Sequence, residues 1–145
     1  MATRSSIDVI TDYLDAAAAG DAKAMADLCG PGFVFDVVHR DAEGRNPFNA
    51  EGALRFWQNW FAAFSSFDWQ ITRAIDAEDK VVVEWIFVGK QDGPLDGLFR
   101  YSVPVSGKVV RFRGASFFEC RNGEITYLTL YMDLATLMVE LGVSR

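Results

Sequence analysis

Few side chains in this sequence have both the type and the setting for chemistry, and the usual groupings are missing. Its one histidine, His39, stands beside Arg40 with no second imidazole to share a metal. Cys29 and Cys120 are far apart and form neither a zinc-ligand spacing nor a disulfide framework, so they read as small buried hydrophobes. What remains are single polar groups set in apolar runs: Tyr13 in IDVITDYL, Asp36 in FVFDVV and Ser116 in GASFFEC. Each has an ordinary use as well as a chemical one. A tyrosine on an amphipathic helix can bury its ring and keep its hydroxyl wet. Asp36 can cap a turn or face solvent, Ser116 can accommodate a neighbour or anchor a ligand, and a lone histidine at a strand end is commonly a surface residue.

The elements that must position these groups follow from spacing. Ser5 or Ser6 can cap a helix beginning near Ile7, on which Ile7, Ile10, Tyr13 and Leu14 share a face, and the alanines at 16–19 carry it to Gly20. Gly20 and Asp21 close that helix and cap a second one holding Met25, Leu28 and Cys29, which Gly30, Pro31 and Gly32 end. A β-forming run at 33–38 is followed by the turn-rich stretch 40–49, a candidate lid. A third helix then starts near Ala50, with Leu54, Trp57, Phe61 and Phe64 at three- and four-residue spacing. Beyond Ser66, residues 67–75, 80–89, 99–105, 109–120 and 124–132 read as strands, and Asn122-Gly123 is the strongest hairpin signal between them. Helices first and strands afterwards predict a segregated α+β fold rather than alternating βαβ units.

Strand alternation sorts the faces, since successive side chains point to opposite sides. Val81, Val83, Trp85 and Phe87 form an apolar set turned toward the helices, joined by Phe112, Gly114, Ser116 and Phe118 and by Leu128, Leu130 and Met132. Phe117, Tyr127 and Tyr131 fall on the outer face, an apolar patch that predicts a homodimer. In the first strand the apolar count places Phe33, Phe35 and Val37 inside, with Val34 and Asp36 outside.

The composition bounds the partners. The 145 residues suit one domain spanning 1–145 with a core over about 7–143, and aromatic residues at 14% supply much ring surface to bury. A net charge of −6 argues against nucleic-acid and anionic-membrane partners. No apolar run approaches the roughly 18 residues of a membrane span and the N-terminus has no signal-like core, so a cytoplasmic protein is expected.

The stretches GKQDGPLDG (89–97), VPVSGK (103–108), GASFFECRNGEITYLTLYMD (114–133) and LATLMVELG (134–142) succeed the helices in an order that resembles the nuclear-transport-factor-like superfamily, in particular its SnoaL-like polyketide-cyclase branch. The resemblance runs from about Ile7 to Val143. It implies a cone-shaped α+β fold, with three helices in the N-terminal half packed on a strongly curved mixed or antiparallel sheet around an apolar pocket. Laid on the steroid-isomerase relatives, Tyr13 matches their oxyanion-stabilising tyrosine and Asp36 their proton-shuttling aspartate, which would turn Asp36 inward against the apolar count. A carboxylate in an apolar pocket has its pKa raised and can take a proton from carbon, while a buried hydroxyl stabilises the resulting enolate. Ser116 matches the second, protonated aspartate of the isomerases and the acid/base aspartate of the cyclases, and is a weaker donor than either. Phe87, Trp85 and Leu130 match the aspartate–arginine–aspartate set of the epoxide hydrolases, so that mechanism is not expected.

The resemblance therefore implies a pocket for a small apolar molecule, with cofactor-free, metal-free isomerase or cyclase chemistry on a carbonyl compound. Asp36, Tyr13 and Ser116 would be its catalytic groups, and Val34, His39, Trp57, Phe61, Trp85, Phe87, Phe112, Phe118, Leu128 and Leu130 its lining. The alternative is a non-catalytic ligand-binding or dimerisation module.

Overall fold

The computed structural model describes residues 4–44 and 46–143. Two helices, α1 (Ser6–Ala18) and α2 (Ala22–Asp27), precede β1 (Cys29–Val37) and a 3₁₀ segment (Val38–Glu43); α3 (Ala50–Ala63) then leads into β2 (Phe67–Ala77), β3 (Lys80–Lys90), β4 (Val109–Arg121), β5 (Glu124–Met132) and α4 (Leu134–Leu141). Side-chain oxygens start all four helices: Ser5, Asp21, Asn49 and Asp133 accept from the backbone N–H groups of Asp8, Ala24, Gly52 and Thr136.

The sheet runs β1-β5-β4-β3-β2, with β1 parallel to β5 and every other pair antiparallel. Four helices packed on this mixed sheet make the expected cone-shaped α+β fold. The alternation read from sequence holds through β3, where Val81, Val83, Trp85 and Phe87 are buried, and through β4, where Phe112, Ser116 and Phe118 are. Asn122 and Gly123 take positive φ angles of 53° and 75°, as a two-residue hairpin turn between twisted strands requires. On the outer face Phe117 and Tyr131 form an exposed edge-to-face pair, their ring centres 5.6 Å apart.

Three features depart from expectation. β1 begins at Cys29 rather than Phe33, and its register with β5 shifts between Cys29 and Val34. The C-terminal stretch, expected only as a terminal segment, coils into α4, which packs on β4. Residues 99–105 are not a strand; only a bridge between Leu95 and Val103 forms there. Gln91 ties this segment together: fully buried, its amide donates to the carbonyls of Gly93, Val103 and Pro104 and accepts from the Ser106 N–H and hydroxyl, so side-chain bonds serve backbone groups here.

Candidate functional site

A cavity of about 120 Å³ lies between α1, α3 and the inner sheet face. Its depth is formed by Tyr13, Met25, Trp57, Trp85, Ser116, Phe118 and Leu128, and its edge by Leu14, Asp15, Ala18, Trp69 and Ile71. Asp15, Ala18 and Ile71 are exposed, so the mouth opens between α1 and the edge strand β2.

Tyr13 reaches this space because it falls on the buried stripe of α1 with Val9, Ile10 and Ala17. Its ring meets Phe118 edge to face at 5.4 Å. Burial, with some help from Cys29, pushes its pKa well above the usual phenol value, so the hydroxyl stays protonated and serves as a donor. The Trp57 indole N–H nearby pulls the other way, yet it stands short of full hydrogen-bond geometry and is itself a buried donor without a partner.

Ser116 sits on the inner face of β4, and its Oγ accepts the Trp85 indole N–H at 3.0 Å. That contact exists because Trp85 is paired in register with Gly114, whose missing side chain lets the indole lie across β4. A hydroxyl that already accepts from Trp85 is left with its own proton to offer the cavity. Cys29 is no nucleophile: burial pushes its thiol up to about 12.

Tyr13, Ser116, Trp57, Trp85, Phe118 and Leu128 are thus brought together as expected, and the other candidates are not. Asp36 and Val34 lie on the opposite face of β1 from the buried Phe33, Phe35 and Val37. Asp36 accepts from the Asn46 amide at 2.6 Å and from the Tyr127 hydroxyl at 3.4 Å, away from the cavity lining. The strand can turn only one set inward, and three apolar side chains prevail over one carboxylate; this corrects the placement taken from the steroid isomerases. His39 also lies off the lining, with Nε2 on the Leu98 carbonyl at 2.8 Å and its ring against Phe99. Phe87, Phe112 and Leu130 face inward and are buried but do not line this cavity; Trp60 meets Phe87 at 5.2 Å and Phe112 at 5.9 Å. Phe61 stacks on Phe67 at 5.6 Å, outside the lining.

None of the described residues of 40–49 borders the cavity, so they do not form the lid expected over its mouth. Arg45 lies outside the described residues; Arg40 stacks over Phe48 and donates to the Gly97 carbonyl, and Phe48 pairs with Phe35. Sequence reasoning missed Met25, Trp69, Asp15 and Ile71. Trp69 and Ile71 share strand parity with the half-buried Phe67, a signal that could have found them. The alanine run of α1 could have indicated where bulk is absent. Among the described residues, no group of three His, Cys, Asp or Glu is arranged to hold a metal ion, and no helix is long and apolar enough to cross a membrane.

Comparison with known proteins gives these features a context. A family model described as a SnoaL-like domain matches residues 10–128. A candidate SnoaL-like polyketide cyclase from Jannaschia sp. CCS1 superposes with a TM-score of 0.80 at 20% identity, covering 96% of this chain and 92% of that one. AclR, a candidate hydroxylase from Streptomyces galilaeus, gives 0.80 at 14% identity, covering 96% of each chain. IdmH, a candidate polyketide cyclase from Streptomyces antibioticus, gives 0.74 at 22% identity, covering 94% of this chain and 98% of that one. At these identities the likeness shows the fold alone. No curated protein sequence matches the chain.

Proposed function

The chain belongs to the SnoaL-like domain family, and from that premise we propose that its cavity binds a small, largely apolar molecule carrying a carbonyl or similar acceptor oxygen. One observation carries this reading: Tyr13 and Ser116, each bearing a hydroxyl, line a cavity that is otherwise apolar but for Asp15 at its mouth. Such sites use apolar walls for affinity and a few placed polar groups for orientation. The size suits a ligand on the scale of one ring, since an apolar cavity of roughly 150 Å³ accommodates benzene.

Titration calorimetry with acetophenone, a one-ring ketone, tests the reading. The protein should bind it, Ser116→Ala and Tyr13→Phe should each weaken binding by about tenfold, the worth of one hydrogen bond, and Asp36→Asn should change nothing. Absence of binding at millimolar ketone, or an affinity unchanged from the unmodified protein in both hydroxyl variants, would refute it.

Acid–base turnover of the bound carbonyl is a second reading, favoured by Asp15, the carboxylate on the lining, two residues from Tyr13 at the mouth. Two hydroxyl donors on a developing enolate oxygen would lower the barrier to proton removal. The similarity to candidate polyketide cyclases is in keeping with such chemistry. If it operates, Asp15→Asn abolishes exchange of the ketone's α-protons with deuterated solvent and spares binding; undiminished exchange excludes Asp15 as the base.

A further inference from the structure

A second, smaller space of about 20 Å³ lies directly behind the first, and Tyr13, Met25 and Trp57 border both. These three side chains form a wall one residue thick. On its far side α2 and α3 present Ala22, Ala26, Ala50 and Ala53, with Cys29, Phe33 and Leu54 completing the lining, so small side chains border much of the space into which the cavity would lengthen. The wall is also firm. Trp57 lies between Phe35 at 5.5 Å, Phe56 at 5.0 Å and Trp69 at 5.7 Å, and a ring held on several sides does not yield to an entering ligand. Its indole N–H, buried and unpartnered, stands at this partition.

Resting on the reading that the cavity binds an apolar acceptor molecule, we infer that Trp57, with Met25 beside it, sets the length of the ligand. The ligand enters between α1 and β2, places its oxygen among the donors at the inner end, and is stopped by the Trp57 ring. One-ring carbonyl compounds are accepted and their longer analogues rejected. A ligand oxygen at the wall would also supply the partner that the Trp57 N–H lacks, which couples the length limit to the preference for an acceptor. Truncating the wall joins the two spaces into one channel reaching the α2–α3 junction.

Acetophenone and 2-acetylnaphthalene carry the same acetyl group on one ring and on two, and their dissociation constants, measured by calorimetry, test the inference. The unmodified protein should favour acetophenone by about tenfold or more, the discrimination that a filled apolar wall supports. Trp57→Ala should shift the ratio by at least about tenfold toward the naphthyl ketone. Met25→Ala opens the same wall without entering the aromatic stack, so it remains informative if the tryptophan variant does not fold, and it should shift the ratio the same way. A folded variant of either kind that keeps the original ratio overturns the inference, as does an unmodified protein that takes both ketones equally. Failure of the unmodified protein to bind either ketone refutes the binding reading itself, so the two failures are distinct.

Discussion

Gly114→Ala places a methyl group where the Trp85 indole lies. An alanine Cβ would stand 2.3 Å from Cζ2 and 2.4 Å from Cη2 of Trp85, and 2.5 Å from the Tyr131 carbonyl oxygen. Carbon atoms pack best at about 3.5–4.0 Å, so the ring must retreat by more than about 1 Å. Its N–H bond to Ser116 is already 3.0 Å long and does not survive such a shift. Overpacking costs about 1–3 kcal/mol and the stranded indole donor about 1–3 more, giving roughly 2–6 kcal/mol against a total stability of about 5–15. The contact with the Tyr131 carbonyl is to backbone, which a side-chain rotation of Trp85 cannot relieve.

Urea unfolding should show a lower midpoint with unchanged slope, and the melting temperature should fall by roughly 10 °C. Trp85→Phe vacates the positions of Cζ2 and Cη2, so the double variant should be less destabilised than the sum of the singles by more than about 0.5 kcal/mol. A Gly114→Ala protein within about 0.5 kcal/mol of the original, or strict additivity in the cycle, would show that the indole does not depend on this glycine.

Gln91→Leu removes the side-chain donor from the carbonyls of Gly93, Val103 and Pro104, of which Val103 keeps the Leu95 N–H, and should destabilise by about 2–4 kcal/mol while raising amide exchange across 91–108 more than in β3; uniform exchange would refute the hub role. Cys29 and Tyr13 both have folded pKa values raised by burial, so the stability they support is complete below their unfolded values and is lost as pH rises. For Cys29 the loss starts near pH 8.5 and runs to about 12, and for Tyr13 it starts near pH 10. Cys29→Ala should flatten the first part of the alkaline decline and Tyr13→Phe the later part; an unchanged pH profile in both would count against the burial argument. Dimerisation through the outer sheet face is proposed from the exposed Phe117–Tyr131 pair, with sedimentation at micromolar concentration giving a dimer that Phe117→Arg converts to monomer. A purely monomeric unmodified protein would refute it.

Much of this architecture was legible because it rests on local periodicity and turn chemistry. The apolar stripe of α3, the alternation of β3, β4 and β5, and the Asn122-Gly123 hairpin each follow from neighbours in sequence. The same rule put Asp36 outside, where it lies bonded to Asn46 and Tyr127, whereas the steroid-isomerase alignment turned it inward. Parallel pairing of β1 with β5 was not legible, since it joins segments from opposite ends of the chain. Nor was the path of 91–108, where one buried glutamine amide bonds partners up to fifteen residues away.

The cavity shows the division most clearly. Trp85, Phe87, Phe112, Ser116 and Phe118 all belong to inner faces that the period of two identifies, and sequence alone determined that they point inward. Which of them border empty space depends on what stands opposite. Trp60 and Phe64 of the α3 end fill the room beside Phe87 and Phe112, while the small side chains of α1 leave room beside Trp85, Ser116 and Phe118. Periodicity fixes the direction of a side chain, and only the packing of distant helices against the sheet decides whether that direction ends in another ring or in a cavity.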